Sequence, residues 1–415
     1  MIILGAYNQH MYRKNIKLIS IFNFLIGFNL FWPIAIIYFS KVSGSFLLGG
    51  SILGIVMLAS TIFELPTGVL SDFVGRKYTI VFGTWARVLA FLFYAVGMSY
   101  WFLVVGAVFE GLSRAFYSGN NDALLYDSLA ESNMEDNFAE YQGKVSSTEQ
   151  LAMSISAILG GLMASFSITF LVWSSVVPQV LMLFICYKLI DPKRHKKVDS
   201  NIFRHVKEAS ILFVSNKKLR LLSAASILNF SLGELKWGFT SAFNATVWPI
   251  WAIGIPAALS SLGASLSFFY SGKLIKRFKE INILLFDNIY GKAISLISLG
   301  IPTALSPVLM TTPSVLYGVE SIAERNLMQR EFTSHQRATM SSLNSLGGSL
   351  GYAVMSLLLG GMADAMGPAK AMFIFTALSL PAIYLYTPIP SSTPRGLLGK
   401  YTKTSYLGWL SSSIS

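Results

Sequence analysis

The residues of this 415-residue chain whose types and spacing can do chemistry are ionisable side chains set inside long apolar runs. Glu110 and Arg114 stand one helical turn apart and are followed by Tyr117 and Asn121. At about 100° per residue these four fall within an arc of about 60°. Further along, Glu234 and Lys236 lie on nearly opposite faces of one run, and Glu320 and Glu324 share a face of another, with Arg325 beside them. A charge at mid-bilayer costs a few kcal/mol unless it is paired or faces water, so these groups mark an interior. Two carboxylates on adjacent turns repel when both are charged, and one shared proton relieves that repulsion. The chemistry this permits is recognition of a solute and uptake or release of a proton. Two plainer arrangements are equally open: Glu110 and Arg114 neutralise each other, and Glu324 pairs with Arg325 so that only Glu320 meets water.

The elements that must position these groups are membrane helices. With 53% hydrophobic and 13% charged residues, the chain has more apolar surface than one water-soluble core can hide. A bilayer core of about 30 Å takes roughly 20 helical residues per crossing, and runs of that length recur without the alternation of a barrel strand. Six are expected near Ile16 to Phe39, Phe46 to Ser71, Tyr78 to Gly97, Trp101 to Tyr126, Lys144 to Phe166 and Thr169 to Ile190. Six more are expected near Leu219 to Phe243, Val247 to Gly272, Ile283 to Leu305, Pro307 to Gln329, Ala338 to Ala365 and Ala369 to Thr387. The fold class is therefore an all-α membrane protein of twelve transmembrane helices in two pseudo-symmetric six-helix halves. The predicted divisions are an N-terminal half over 1–190, a basic linker over 191–218 with an amphipathic helix at Phe203 to Phe213, a C-terminal half over 219–387 and a tail over 388–415.

Short loops rich in lysine and arginine stay in the cytoplasm. Of the 32 such residues, the expected outer loops hold Lys41 and Lys370 alone, so both termini are expected in the cytoplasm and the net charge of +12 reflects topology. That distribution argues against a nucleic-acid partner. Basic residues at 13–17 precede an apolar run too long for a signal-peptide core and without a small-residue cleavage site, so the first segment is expected to be retained. Cys186 is the single cysteine, which leaves no thiolate metal site, and His10, His195, His205 and His335 all fall in tails or loops.

Between the second and third spans runs Gly68-Val69-Leu70-Ser71-Asp72-Phe73-Val74-Gly75-Arg76-Lys77. This stretch resembles the loop signature of the major facilitator superfamily, with glycine, aspartate, glycine and two basic residues at the family's intervals. A worn copy, Ser271-Gly272-Lys273-Leu274-Ile275-Lys276-Arg277, follows the eighth span and lacks the aspartate. Ile158-Leu159-Gly160-Gly161-Leu162-Met163-Ala164 is echoed by Leu358-Leu359-Gly360-Gly361-Met362-Ala363, as internally repeated transporters require. The resemblance implies that spans one, four, seven and ten line a central cavity. It also implies that Asp72, Arg76 and Asp127 form a charge relay that rearranges on switching, with Gly68 permitting close helix approach and Gly75 a tight turn. On physical grounds Asp72 can accept hydrogen bonds from a helix N-terminus of the opposite half. Glu64 and Arg87, at similar depth on the second and third spans, are expected to form an intramembrane ion pair. Asp287, Lys292 and Glu149 are expected to make packing or gating contacts, and Asn23, Asn29 and Pro33 give the first span polar handles and a kink.

Glu64-Leu65-Pro66-Thr67-Gly68 and Asp122-Ala123-Leu124-Leu125-Tyr126-Asp127 look like a bacterial branch of efflux-type permeases. The chain departs from family patterns in having Ala107 four residues before Gly111, where many proton-coupled members have arginine, and in lacking proline beside Gly160-Gly161. No phosphate-cradling Gly-x-x-x-x-Gly-Lys-Ser/Thr loop and no His-Glu-x-x-His occurs, which argues against an ATP-driven pump and a membrane metalloenzyme. The expectation is a non-enzymatic, monomeric secondary transporter of the bacterial cytoplasmic membrane. It would need no cofactor and would move a small organic solute outward against protons; proton-coupled uptake of a sugar, peptide or organic acid is the alternative. Its substrate and proton cavity would use Glu110, Arg114, Tyr117, Asn121, Glu234, Glu320 and Glu324.

Overall fold

A computed structural model describes residues 2–191, 217–330 and 337–385. Long Leu-, Ile-, Val-, Phe- and Ala-rich runs become helices because only a helix satisfies every backbone group of a single segment in lipid. In chain order the helices are α1 (Ile2–Gly27), α2 (Ala35–Ser43), α3 (Phe46–Val74), α4 (Arg76–Val96), α5 (Tyr100–Tyr117), α6 (Asn120–Glu131), α7 (Phe138–Phe166), α8 (Ile168–Ser174) and α9 (Val176–Tyr187). They continue with α10 (Lys217–Val247), α11 (Gly254–Phe278), α12 (Glu280–Gly300), α13 (Ser306–Leu309), α14 (Ser314–Arg330), α15 (Arg337–Met366) and α16 (Pro368–Leu378), which runs into a 3-10 turn, Leu380–Leu385.

These assemble into twelve crossings, several of them in two pieces. The first crossing is α1 and α2, and the expected kink is a full break. The chain leaves the helix at Gly27 and returns through a 3-10 turn, Trp32–Ile34, where Pro33 has no N–H to continue the ladder. The fourth crossing is α5 and α6, interrupted at Ser118 and Gly119, the latter with φ 71°, so the continuous Trp101 to Tyr126 helix expected there is corrected. The tenth, expected as one helix from Pro307 to Gln329, is α13 and α14. The eighth starts at Gly254 and not Val247, because Pro249 and a 3-10 turn, Ile250–Ala252, delay it.

Nine helical stretches among the described residues are long and apolar enough to cross a bilayer on their own. The fourth, seventh and tenth crossings are missing from that set. They carry Glu110 and Arg114, Glu234 and Lys236, and Glu320, Glu324 and Arg325, charges that lower their apolarity and mark them as lining an interior, and α14, at 17 residues, is also short for a crossing. The amphipathic helix expected at 203–213 and the tail over 388–415 lie outside the described residues.

The face that bears Arg76 and Lys77 is here called the basic face. Two helix pairs make most of the contact between the halves, α3 with α15 and α7 with α11, with α2 touching α10 besides, and the two main pairs approach most closely at the face opposite. There Gly50 and Gly54 of α3 meet Ser356 and Ala353 of α15, and Gly161 of α7 meets Trp251 and Gly254 at the head of α11. Gly68 lies eighteen residues beyond Gly50, about five whole turns, and Asp72 stands in the same relation to Gly54. Both therefore share the face of α3 that packs on α15, yet nothing lies within 4 Å of a side chain built at Gly68, and Phe73 is 82% exposed. The halves are closed at the far face and apart at the basic face.

Candidate functional site

Between the halves, the break in the first crossing puts Trp32 at the top of the opening. Its ring lies 5.7 Å from that of Trp237 on α10, and the Arg114 guanidinium sits 5.5 Å above Trp32 on the other side. Arg114 donates to Glu110 Oε1 through Nη2 at 2.8 Å and Nε at 3.2 Å, and Tyr94 donates its hydroxyl to Glu110 Oε2 at 2.8 Å. Glu110 is 2% exposed, so both its oxygens are spent on this pair and the charge of Arg114 is neutralised beside the cavity. Glu234, half-buried on α10, has no such partner: among the described residues it makes neither ion pair nor hydrogen bond, and Arg114 is the cation that acts on it electrostatically.

The remaining sequence candidates divide. Tyr117 is not a cavity residue; its hydroxyl donates to Thr84 at 3.0 Å and its ring meets Phe22 edge-on within the first half. Asn121 falls beyond the break at Gly119, out of phase with the expected stripe, and its Oδ1 is buried without a hydrogen bond. The expected Glu64–Arg87 ion pair does not form. Arg87 donates to Gln179 Oε1 at 2.7 Å and to the Ile26 carbonyl at the end of α1 at 3.1 Å, because its face of α4 packs on α9 while α3 packs chiefly on α5 and α15.

In the second half, Glu320 and Glu324 follow one another on α14. Glu324 faces Ser226, and Glu320 lies within electrostatic range of Glu324 and Asp287. No ion pair joins Glu324 to Arg325 among the described residues; Arg325 instead acts on Asp122 of the first half. Lys236 turns away from the cavity and donates to Ser295 on α12.

At the basic face, Arg76 donates through Nε to Asp127 Oδ2 at 2.8 Å and contacts Asn120 Oδ1 at 3.5 Å, and Ser71 also donates to that oxygen. Gly75, with φ 87°, makes the one-residue turn between α3 and α4, and Asp191 accepts from the Lys77 backbone N–H just beyond it. Asp72 departs from expectation. It is exposed and, among the described residues, makes no hydrogen bond to the opposite half. Gly68 likewise brings no helix close in this arrangement.

The far face carries a contact that sequence reading missed. Asp364 of α15 accepts from the backbone N–H groups of Phe46 at 2.6 Å and Leu47 at 2.8 Å, the first turn of α3. Its signal was its position directly after the echoed Leu358 to Ala363 segment. Trp32 and Trp237 were missed because an aromatic in a membrane span is usually packing.

Residues 18–351 match the Major Facilitator Superfamily. An uncharacterized MFS-type transporter of Methanocaldococcus jannaschii is 26% identical over 381 residues, covering 88% of this chain and 95% of that protein. The MFS-type transporter YxaM of Bacillus subtilis is 24% identical over 392 residues, with 88% and 93% covered. Among solved structures, the nucleoside transporter NupG superposes with a TM-score of 0.75 at 13% identity, over 91% of this chain and 98% of that one. A bacterial homolog of the human lysosomal transporter Spinster, in an inward-facing and unoccupied conformation, gives 0.69 at 14%, over 91% and 96%. The Escherichia coli fucose:proton symporter FucP gives 0.58 at 15%, over 92% and 100%. With charged side chains between two six-helix halves and a family match across most of its length, the chain belongs to the major facilitator superfamily of membrane transporters.

Proposed function

We propose that the chain exports a small, planar organic cation in exchange for protons, by alternating access, from the cytoplasm of a bacterial cell. The observation that carries this reading is Glu234, which among the described residues has no ion-pair partner; it stands three residues before Trp237 of the Trp32–Trp237 ring pair on α10 and within electrostatic range of an arginine already paired with Glu110. A cationic aromatic solute would supply the missing charge to Glu234 and a ring for the tryptophans, a combination worth about 0.5–2 kcal/mol per cation–π contact. The lysine and arginine bias supports a cytoplasmic basic face and cytoplasmic termini, an orientation in which the open side would load solute from within.

Proton coupling is assigned to Glu320, which faces Glu324 one turn away. One proton relieves the repulsion between them, and its loss restores it. Glu320→Gln is expected to abolish proton-driven transport while ligand binding and folding persist; full proton-driven activity in both Glu320→Gln and Glu324→Gln would overturn the assignment. Uptake is the second reading, favoured by the fold likeness to a nucleoside transporter and a fucose:proton symporter. Reversing the imposed pH gradient in proteoliposomes separates antiport from symport.

A further inference from the structure

The α3–α15 pair carries two acids in matching places. Asp72 stands two residues before the end of α3 at Val74, and Asp364 stands two residues before the end of α15 at Met366. The two helices are antiparallel across the interface of the halves, so each acid lies at the face where its partner helix begins. At the far face the contact is made: Asp364 takes both Phe46 and Leu47 N–H groups, which have no partner within their own helix. A carboxylate at a helix start also gains from the positive end of the helix dipole. The neighbouring packing holds it in place, since Gly360, one turn before Asp364, lies directly on the Phe46 and Leu47 backbone, where a Cβ would collide. At the basic face the equivalent acid, Asp72, is exposed and makes no hydrogen bond among the described residues.

We infer that Asp364 is the positioning residue that holds the far face shut, and that it alternates with Asp72 as each face closes in turn. One latch is engaged in the conformation seen here. The α7–α11 interface, related by the internal repeat, has no such acid: Ala164 occupies the place corresponding to Asp364 at an offset of two hundred residues, and the start of α11 carries no side-chain cap. The charge-based latch is thus confined to one of the two main interfaces between the halves, and the other closes by glycine packing with uncharged hydrogen bonds, Ser154 to the Ala258 carbonyl among them. Breaking Asp364 should release the far face without disturbing the cavity residues, which lie nearer the middle of the membrane.

The inference rests on the alternating-access reading. That reading would fall if the unaltered protein moved no solute, whereas the latch is judged from conformation alone. The test uses the full chain with Cys186→Ser, spin-labelled either at Lys41→Cys and Lys370→Cys on the far face or at Phe73→Cys and Phe278→Cys on the basic face, with distances read by pulsed electron resonance in lipid nanodiscs. Asp364→Ala and Asp364→Asn are expected to lengthen the far-face distance and shorten the basic-face one, Asp364→Glu to restore much of the original distribution, and Asp72→Asn to leave the far face shut. Thermal unfolding of each variant confirms that it is folded. Unchanged distances in folded Asp364→Ala would overturn the inference, as would opening of the far face in Asp72→Asn to the same extent.

Discussion

At the scale of single residues, the most consequential group is Glu110, whose burial is tolerable only because both oxygens are occupied. Removing it leaves Arg114 uncompensated beside Trp32. Breaking a buried pair from one side costs about 3–5 kcal/mol, and because the Arg114 side chain keeps 32% of its exposure, the low end of that range is expected. Glu110→Ala should therefore lower the unfolding free energy by about 3 kcal/mol, with the Glu110→Ala/Arg114→Met double variant recovering most of it in detergent unfolding; a double variant as unstable as the single one would contradict this. The Arg76–Asp127 pair is partly open to water, with side chains 30% and 14% exposed, and contributes less, about 1 kcal/mol or below. Asp127→Asn should leave stability nearly unchanged, and its effect should appear in transport rate.

At the scale of elements, glycines report which faces of the helices must meet. Gly68 shares a face of α3 with Gly50 and Gly54 but touches nothing here. Gly68→Leu should leave the present conformation as stable as the parent and stop transport by preventing closure at the basic face, measured as unfolding temperature and solute flux. Unimpaired flux would show that this face never packs. Gly360→Leu, placed where a Cβ meets the Phe46 and Leu47 backbone, should prop the far face open. The helices and their number were legible in the sequence because apolar runs of bilayer length have one solution in lipid, and the Arg76–Asp127 contact was legible from family spacing. The breaks at Gly119 and Thr311 to Pro313 were not, since a run's apolarity says nothing of local backbone geometry. The Glu64–Arg87 pairing failed for a related reason: equal depth in the membrane does not give the direction in which a helix faces, and Gln179 on α9 was nearer to hand.

At the scale of the whole molecule, the two halves meet at one face and part at the other, with Trp32, Trp237, Arg114 and Glu234 between them. That arrangement accounts for why the crossings with the most charge are the ones least suited to lipid, and why the repeated Gly-Gly segments recur in α7 and α15, the helices that close the far face. On the reading proposed above, the parts of the cycle fall to separate residues: Glu234 is proposed for the solute, Glu320 for the proton, and Asp364 and Asp72 for the two closures. The most direct test of this account is solute flux in proteoliposomes under an imposed pH gradient, comparing the parent with Glu234→Gln, using a panel of planar aromatic cations and their uncharged analogues. The account predicts gradient-driven movement of a cation opposite to the protons, no movement of its uncharged analogue, and loss of at least tenfold in rate in Glu234→Gln, about 1.4 kcal/mol of lost stabilisation. Equal transport of charged and uncharged analogues, or undiminished flux in Glu234→Gln, would contradict it.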